Sequence, residues 1–272
     1  MCRGLDALIF SLYSGTKMIF AGTPSGVSLS REGGAHQSSI TSSIGIELPG
    51  LVTYEPAFGV EVEWILLDAL RHCCDRDHGR STYLRLTTKR LDQRLIEAAR
   101  DRLGEPELRR QALAGGYRLL EGCDLVSSSS SSDRVQLVTA GAMLPEAVEA
   151  ARRLAEEGVA ATVIQVTSPD LLFRALREAR LHARHDAGAP SHLGHLDTLF
   201  PFDERRVPIV TVHDASAHSL AFLGGIRGAP CVPLGVDQFG QAGALGDLYR
   251  AAGIGVEDIV GAALLALELR RE

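Results

Sequence analysis

Histidines separate the places in this chain where chemistry could happen. His36 lies in REGGAHQSSI (31–40), together with Glu32, between the segments KMIFAGTPSGVSLS and LPGLVTYEPAFG. The stretch from the first apolar run to the second is about thirty residues without periodicity, and loops of that kind are commonly functional or disordered. His36 is therefore either a solvated loop imidazole or one placed to touch a ligand. His192, His195 and Asp197, in HLGHLD, have metal-ligating side chains but follow an arginine-rich helix, a poor setting for a cation. His213 and His218, in HDASAH, fall where a strand hands over to a helix. The carboxyl ends of strands gather ligands in open α/β sheets, although a structural, hydrogen-bonded role suits such histidines better. Cys2, Cys73, Cys74, Cys123 and Cys231 form no C-x-x-C pair, so they read as reduced thiols in a cytoplasm. Neither a P-loop, nor G-x-G-x-x-G, nor the G-x-S-x-G nucleophile elbow occurs.

The elements that must position these residues alternate between strand and helix. A stripe at Leu5, Leu8, Ile9 and Leu12 predicts a helix over 4–14, and strands follow at 17–22 and 51–54. Phe58, Val62, Ile65, Leu66 and Ala69 share one helical face, and STYLRLTTK reads as a strand. Residues 89–115 are dense in charge and read as a solvated connector with some helix. AGGYRLLEG reads as a short strand, and the six serines Ser127 to Ser132 as a low-complexity loop. Beyond residue 133 the order is strand, helix with Pro145 in its first turn, strand, and a helix capped by Ser168. A further strand, helix and strand and two closing helices complete the chain. Such alternation predicts a mostly parallel sheet with helices on both faces.

With 28 basic and 34 acidic residues, a net charge of −6, the chain has no electrostatic footprint for nucleic acid or an anionic membrane surface. No apolar run approaches the ~18 residues of a membrane span. A signal-peptide cleavage site is also not expected, and the sequence opens as though a segment upstream were missing.

Several ordered motifs resemble one family. EGGAHQS (32–38) is similar to the D-G-P-T-H-Q-P loop of transketolase-like enzymes, and LPGLVTYEPAFGVEVEWILLDAL to their P-x-x-x-x-x-R-P-A-D-x-x-E segment. VQLVTAGAMLPEAVEAARRLAEEGVAATVIQVTS resembles the start of the family's C-terminal domain, and LGVDQFGQAGALGDLYRAAGI its D-x-F-G-x-S-G stretch. The family uses thiamine diphosphate with magnesium. The resemblance implies part of a pyrimidine-binding α/β domain (1–88), a linker (89–132) and a transketolase C-terminal-type α/β domain (133–272). It also implies that His36 faces cofactor and substrate, with Glu32 beside the substrate. Where sugar-phosphate enzymes have an arginine before Pro-Ala-Asp, this chain has Glu55 in YEPAF, closer to the Y-D-P-A-Y of the homodimeric pyruvate dehydrogenase decarboxylase. On that reading Glu55 repels a phosphate and the substrate is a small 2-oxo acid, with a lipoyl-bearing acyltransferase as acceptor. The alternatives are transketolase-type ketol transfer and a non-catalytic dimerisation or docking remnant. The family's Gly-Asp-Gly and its catalytic glutamate have no counterpart here. The implied enzyme is therefore inactive alone, needs a missing N-terminal half or a second chain, and forms a homodimer. His72, placed on the solvent side of a helix end, is expected to play no part.

Overall fold

The computed structural model describes residues 4–23, 26–126, 133–185 and 192–271. Cys2, Ser25 and the run Ser127 to Ser132 lie outside the described residues. The elements in chain order are α1 (Leu5–Tyr13), β1 (Ile19–Gly22), α2 (Ile44–Glu47), β2 (Leu51–Tyr54), α3 (Gly59–Cys74) and β3 (Ser81–Arg85). Then come α4 (Glu97–Leu103), α5 (Glu105–Ala114), β4 (Gly116–Leu120), β5 (Arg134–Ala140), α6 (Leu144–Glu156), β6 (Ala160–Val166) and α7 (Pro169–His185). The chain ends with α8 (His195–Leu199), β7 (Ile209–Val212), α9 (His218–Ala221), β8 (Cys231–Leu234), α10 (Leu245–Ala251) and α11 (Val256–Arg271).

The first three strands form a parallel sheet in the order β1-β3-β2, with Ile19 opposite Thr82 and Leu51 opposite Ser81. Successive side chains of a strand leave opposite faces. Leu51 and Tyr83 accordingly pack with Leu8 of α1, while Val52, Tyr54 and Leu84 pack with Ile65 of α3. The expected inner face of α3 holds at Ile65 and Ala69, but Leu66 is 41% exposed and belongs to the outer side with Leu67 and Leu70.

The second sheet runs β4-β6-β5-β7-β8, parallel except where β4 meets β6. Val135, Leu137 and Val163 face α6 and α11, and Val138, Ile164 and Val166 face α7 and α8. Strands covered on both faces need apolar side chains on both, hence the near-continuous runs in β5 and β6.

The expected linker differs most from expectation. Residues 89–115 build α4 and α5, whose Ala99, Leu108 and Ala112 are fully buried in the main core. β4 then completes the edge of the second sheet. The charges that suggested a solvated connector sit on the outer helix faces, and a few apolar residues at helical spacing suffice to bury the other side.

The two sheets meet along β2 and the start of α7. Glu55 N–H donates to Thr167 O (2.7 Å), Thr53 N–H donates to the Asp170 carboxylate (3.1 Å), and Ser168 Oγ donates to Thr53 O (2.7 Å). Ser168 also accepts from Leu171 N–H at 3.4 Å, the expected cap. Among the described residues no helix is long and apolar enough to cross a membrane.

Candidate functional site

The segment that leaves β1 runs across the ends of β7 and β8, and it is fastened there at both of its ends. At the near end, Ser28 N–H lies 3.2 Å from the Asp214 carboxylate, and the Ser28 hydroxyl donates to the same group. Gly26 passes so close that a methyl there would overlap the Asp214 carbonyl oxygen and lie 2.6 Å from its carboxyl carbon. At the far end, Ser216 N–H donates to Ser39 O (3.2 Å). Between these anchors a turn closes with His36 N–H on Gly33 O at 3.1 Å and presents the exposed His36 side chain. Gln37 Nε2 donates to Gln241 O (3.1 Å), and Gly243 N–H donates to Ser30 O (3.2 Å), so the turn rests on the loop after β8. The two loops enclose a cleft of about 600 Å³ with His36, Gln37 and Ile40 on one wall and Val236, Gln238 and Phe239 on the other. Phe239 is 96% exposed, and Ile40 is exposed beside it.

Behind the loop lies a buried charged network that sequence reasoning missed. Arg85, at the end of β3, donates through Nη1 to Glu55 (2.6 Å), through Nη2 to Asp214 O (2.9 Å) and Ser38 O (3.3 Å), and through Nε to Thr41 Oγ1 (3.2 Å). Glu55 also accepts from His213 Nε2 at 2.9 Å. The other nitrogen of that ring lies 2.7 Å from Ser219 Oγ, which passes its own proton to Ser216 O at 2.7 Å; both ring nitrogens therefore face acceptors. Burial alone would push the Glu55 carboxyl up, but the charges of Arg85 and His213 outweigh it and hold the group down at about 2. Asp214 has no such compensation: burial wins over Arg85 and Ser28, and its carboxyl is raised. The signal for Arg85 was present, since an arginine inside TYLRL can sit in a covered strand only if its charge is met by a partner.

The candidates thus separate. His36 lines the cleft. Glu32 is exposed and lines another cleft with Arg31, Thr88, Lys89 and Arg90. His213 is a fully buried structural group, and His218 is exposed and bonded to Ser216 Oγ (2.9 Å). His195 donates to Gly116 O (2.7 Å), and Asp197 accepts from Leu193 N–H (2.8 Å) and pairs with Arg227. Among the described residues no group of three or more His, Cys, Asp or Glu side chains could hold a metal ion. His72 is half-buried and 3.5 Å from Asp68, so it does not stand on the open solvent side of its helix end, and it does not line the His36 cleft.

Residues 122–255 match the family model described as the transketolase-like TK C-terminal domain. The chromosomal transketolase of Cupriavidus necator is 25% identical over 246 residues, 90% of this chain and 30% of that protein. Among solved structures, a transketolase from Pichia stipitis in complex with sedoheptulose-7-phosphate overlays with a TM-score of 0.68 at 18% identity, covering 99% of this chain and 33% of the other. Transketolase from Campylobacter jejuni gives 0.63 at 20%, covering 94% and 34%. A split-gene transketolase described as an inactive β4 tetramer gives 0.59 at 20%, covering 93% of this chain and 68% of that one. The chain spans about a third of the length of the full transketolases it matches. Residues 122–255 thus resemble a transketolase-like C-terminal domain, and most of the chain is similar in sequence to a transketolase.

Proposed function

We propose that this chain is the C-terminal part of a thiamine-diphosphate-dependent, transketolase-type enzyme whose magnesium–diphosphate site is brought by an N-terminal half or by a second polypeptide. The observation that carries the proposal is the His36 cleft. One of its walls comes from the loop after β1, fastened by the buried bond from Ser28 to Asp214, and the other from the loop after β8, which Gln37 meets at Gln241 O. The residues of this chain do not themselves fit the magnesium–diphosphate group. The sequence has no Gly-Asp-Gly, and among the described residues no set of donors converges for a metal. This chain's share of the work is then to wall the substrate cleft and to hold one imidazole in it, where the ring can give or take a proton at a substrate oxygen. The split-gene relative, which covers most of its own length with this fold, supports a two-chain arrangement.

A small 2-oxo acid is implied only if Glu55 faces the ligand and repels a phosphate. Glu55 is 2% exposed and paired with Arg85 and His213, so it offers no net negative charge to a ligand. Without that objection, ketol transfer is the better-supported reaction. The 2-oxo acid decarboxylase, passing its product to a lipoyl carrier, stays as a second reading because YEPAF resembles that branch. Both can be tested by coexpressing the chain with a polypeptide that carries Gly-Asp-Gly and assaying the purified complex. Ketose-dependent ketol transfer is expected, and His36→Ala should lower turnover at least about tenfold while cofactor affinity stays nearly unchanged. His78→Ala, an exposed histidine outside the cleft, serves as the control. Reduction of a dye driven by 2-oxo acid alone would favour the second reading. An assembled complex whose turnover is indifferent to His36→Ala would refute the role of His36.

A further inference from the structure

We propose that Arg85, backed by Glu55 and His213, is the positioning residue that holds the His36 loop in its working shape against the C-terminal unit. The inference rests on His36 as the acting group, but its geometry is independent of that role. Arg85 is 3% exposed and spends its donors on four separate acceptors. Two of them, Ser38 O and Thr41 Oγ1, belong to the segment that carries His36. The third, Asp214 O, is on the far side of the fold interface, and the carboxylate of that same residue grips Ser28 at the other end of the loop. The fourth, Glu55, fixes the guanidinium plane because it is itself held by His213.

A guanidinium offers several N–H donors in one rigid fork, so a single side chain can tie three chain segments that share no backbone ladder. An ammonium at the same place could meet Glu55 but could not also reach Ser38, Thr41 and Asp214. With Arg85 gone, Ser38 O loses its side-chain donor, and the turn bearing His36 keeps its two internal bonds, the contacts to the loop after β8 and the anchors at Ser28 and Ser39, but nothing that ties residues 38–41 to Glu55. Arg85 does not itself line the cleft; it acts through the loop, by its bonds to Ser38 and Thr41.

The test measures hydrogen–deuterium exchange by mass spectrometry on the full chain, comparing wild type with Arg85→Lys, Arg85→Met and Thr41→Val. In Arg85→Met, exchange in peptides covering 33–43 should rise by about tenfold or more, while β5 and β6 keep their protection. Arg85→Lys should fall between Met and wild type. Thr41→Val removes a single bond and keeps the buried pair, so it secures the test if Arg85→Met fails to fold; it should raise exchange near residue 41 only. In the assembled enzyme, Arg85→Lys should lower kcat counted per folded complex with KM nearly unchanged; counting folded complex removes the fall in apparent kcat that a general loss of stability also produces. Unchanged exchange over 33–43 in both Arg85→Lys and Thr41→Val overturns the proposal. Raised exchange with undiminished turnover leaves the latch standing and removes His36 from the chemistry.

Discussion

The fit between the His36 turn and the loop after β8 can be tested with one methyl group placed at two points. Gly34 and Gly240 face each other where the loops touch, and neither adopts a left-handed backbone, so alanine strains neither chain conformation. A methyl on Gly34 would overlap the carbonyl oxygen of Gly240 and lie 2.8 Å from its carbonyl carbon, where ordinary contact begins near 3.4 Å. Both partners are backbone, so nothing can rotate away and the loops must part by about 1 Å, an overpacking that costs about 1–3 kcal/mol. A methyl on Gly240 meets instead the amide end of Gln37. That side chain can swing aside, giving up its bond to Gln241 O at a cost of about 1 kcal/mol. Each substitution also stiffens the unfolded chain and regains about 0.4–1 kcal/mol. The net expectation is a loss of about 1–2 kcal/mol for Gly34→Ala and a change within about 0.5 kcal/mol for Gly240→Ala. Urea unfolding followed by circular dichroism reads this as a lower midpoint at unchanged slope. A displacement of about 1 Å at the cleft wall can also cost on the order of a hundredfold in turnover of the assembled enzyme. Equal midpoints for Gly34→Ala and wild type, or Gly240→Ala as the more damaging change, would show that the two loops are not in close contact.

Other outcomes follow from the same contacts. The Glu55 carboxyl is held at about 2, below its ordinary 4.5, so the stability it contributes is fully present above pH 4.5 and is lost as pH falls toward 2. Unfolding midpoints measured between those values should drop more steeply for wild type than for Glu55→Gln, and parallel curves would contradict the pairing. Ser168→Ala removes the cap of α7 and the bond to Thr53 O that joins the two sheets, and should cost about 1–2 kcal/mol in urea unfolding; no loss would mean that the seam does not depend on it. The isolated chain should bind thiamine diphosphate weakly or not at all when titrated calorimetrically with magnesium present, and a micromolar dissociation constant would refute the reading that the diphosphate site lies outside this chain.

The strands were legible because their pattern is set by burial. A parallel strand covered on both faces must be apolar throughout, and VQLVTA and ATVIQV announce that without reference to any partner. Helix α3 was half legible: Trp64, Ile65 and Ala69 face inward, but its outer side is apolar too, so periodicity alone could not say which leucines were covered. The stretch 89–115 misled for the converse reason. Its charges outnumber its apolar residues, yet Ala99, Leu108 and Ala112 at helical spacing are enough to seat two helices in the core, and alanine carries little weight in a hydrophobicity count.

What could not be read was the meaning of a charge, and Glu55 shows why. By its resemblance to the sugar-phosphate enzymes it is a carboxylate where an arginine is expected, and a ligand's charge follows from that only if the position faces the ligand. In the fold, the chain turns after β2 so that the Glu55 side chain points under the loop, toward an arginine 30 residues later and a histidine from the other half of the chain. A carboxylate that deep cannot stay ionised without partners; Arg85 and His213 supply them, and Glu55 does not line the His36 cleft. The same reasoning restores weight to His36, whose side chain is engaged by no such network and lines an open cleft instead. Charge at a position predicts specificity only after burial and pairing have been settled, and here they put Glu55 in a buried ion pair and leave His36 exposed in the cleft.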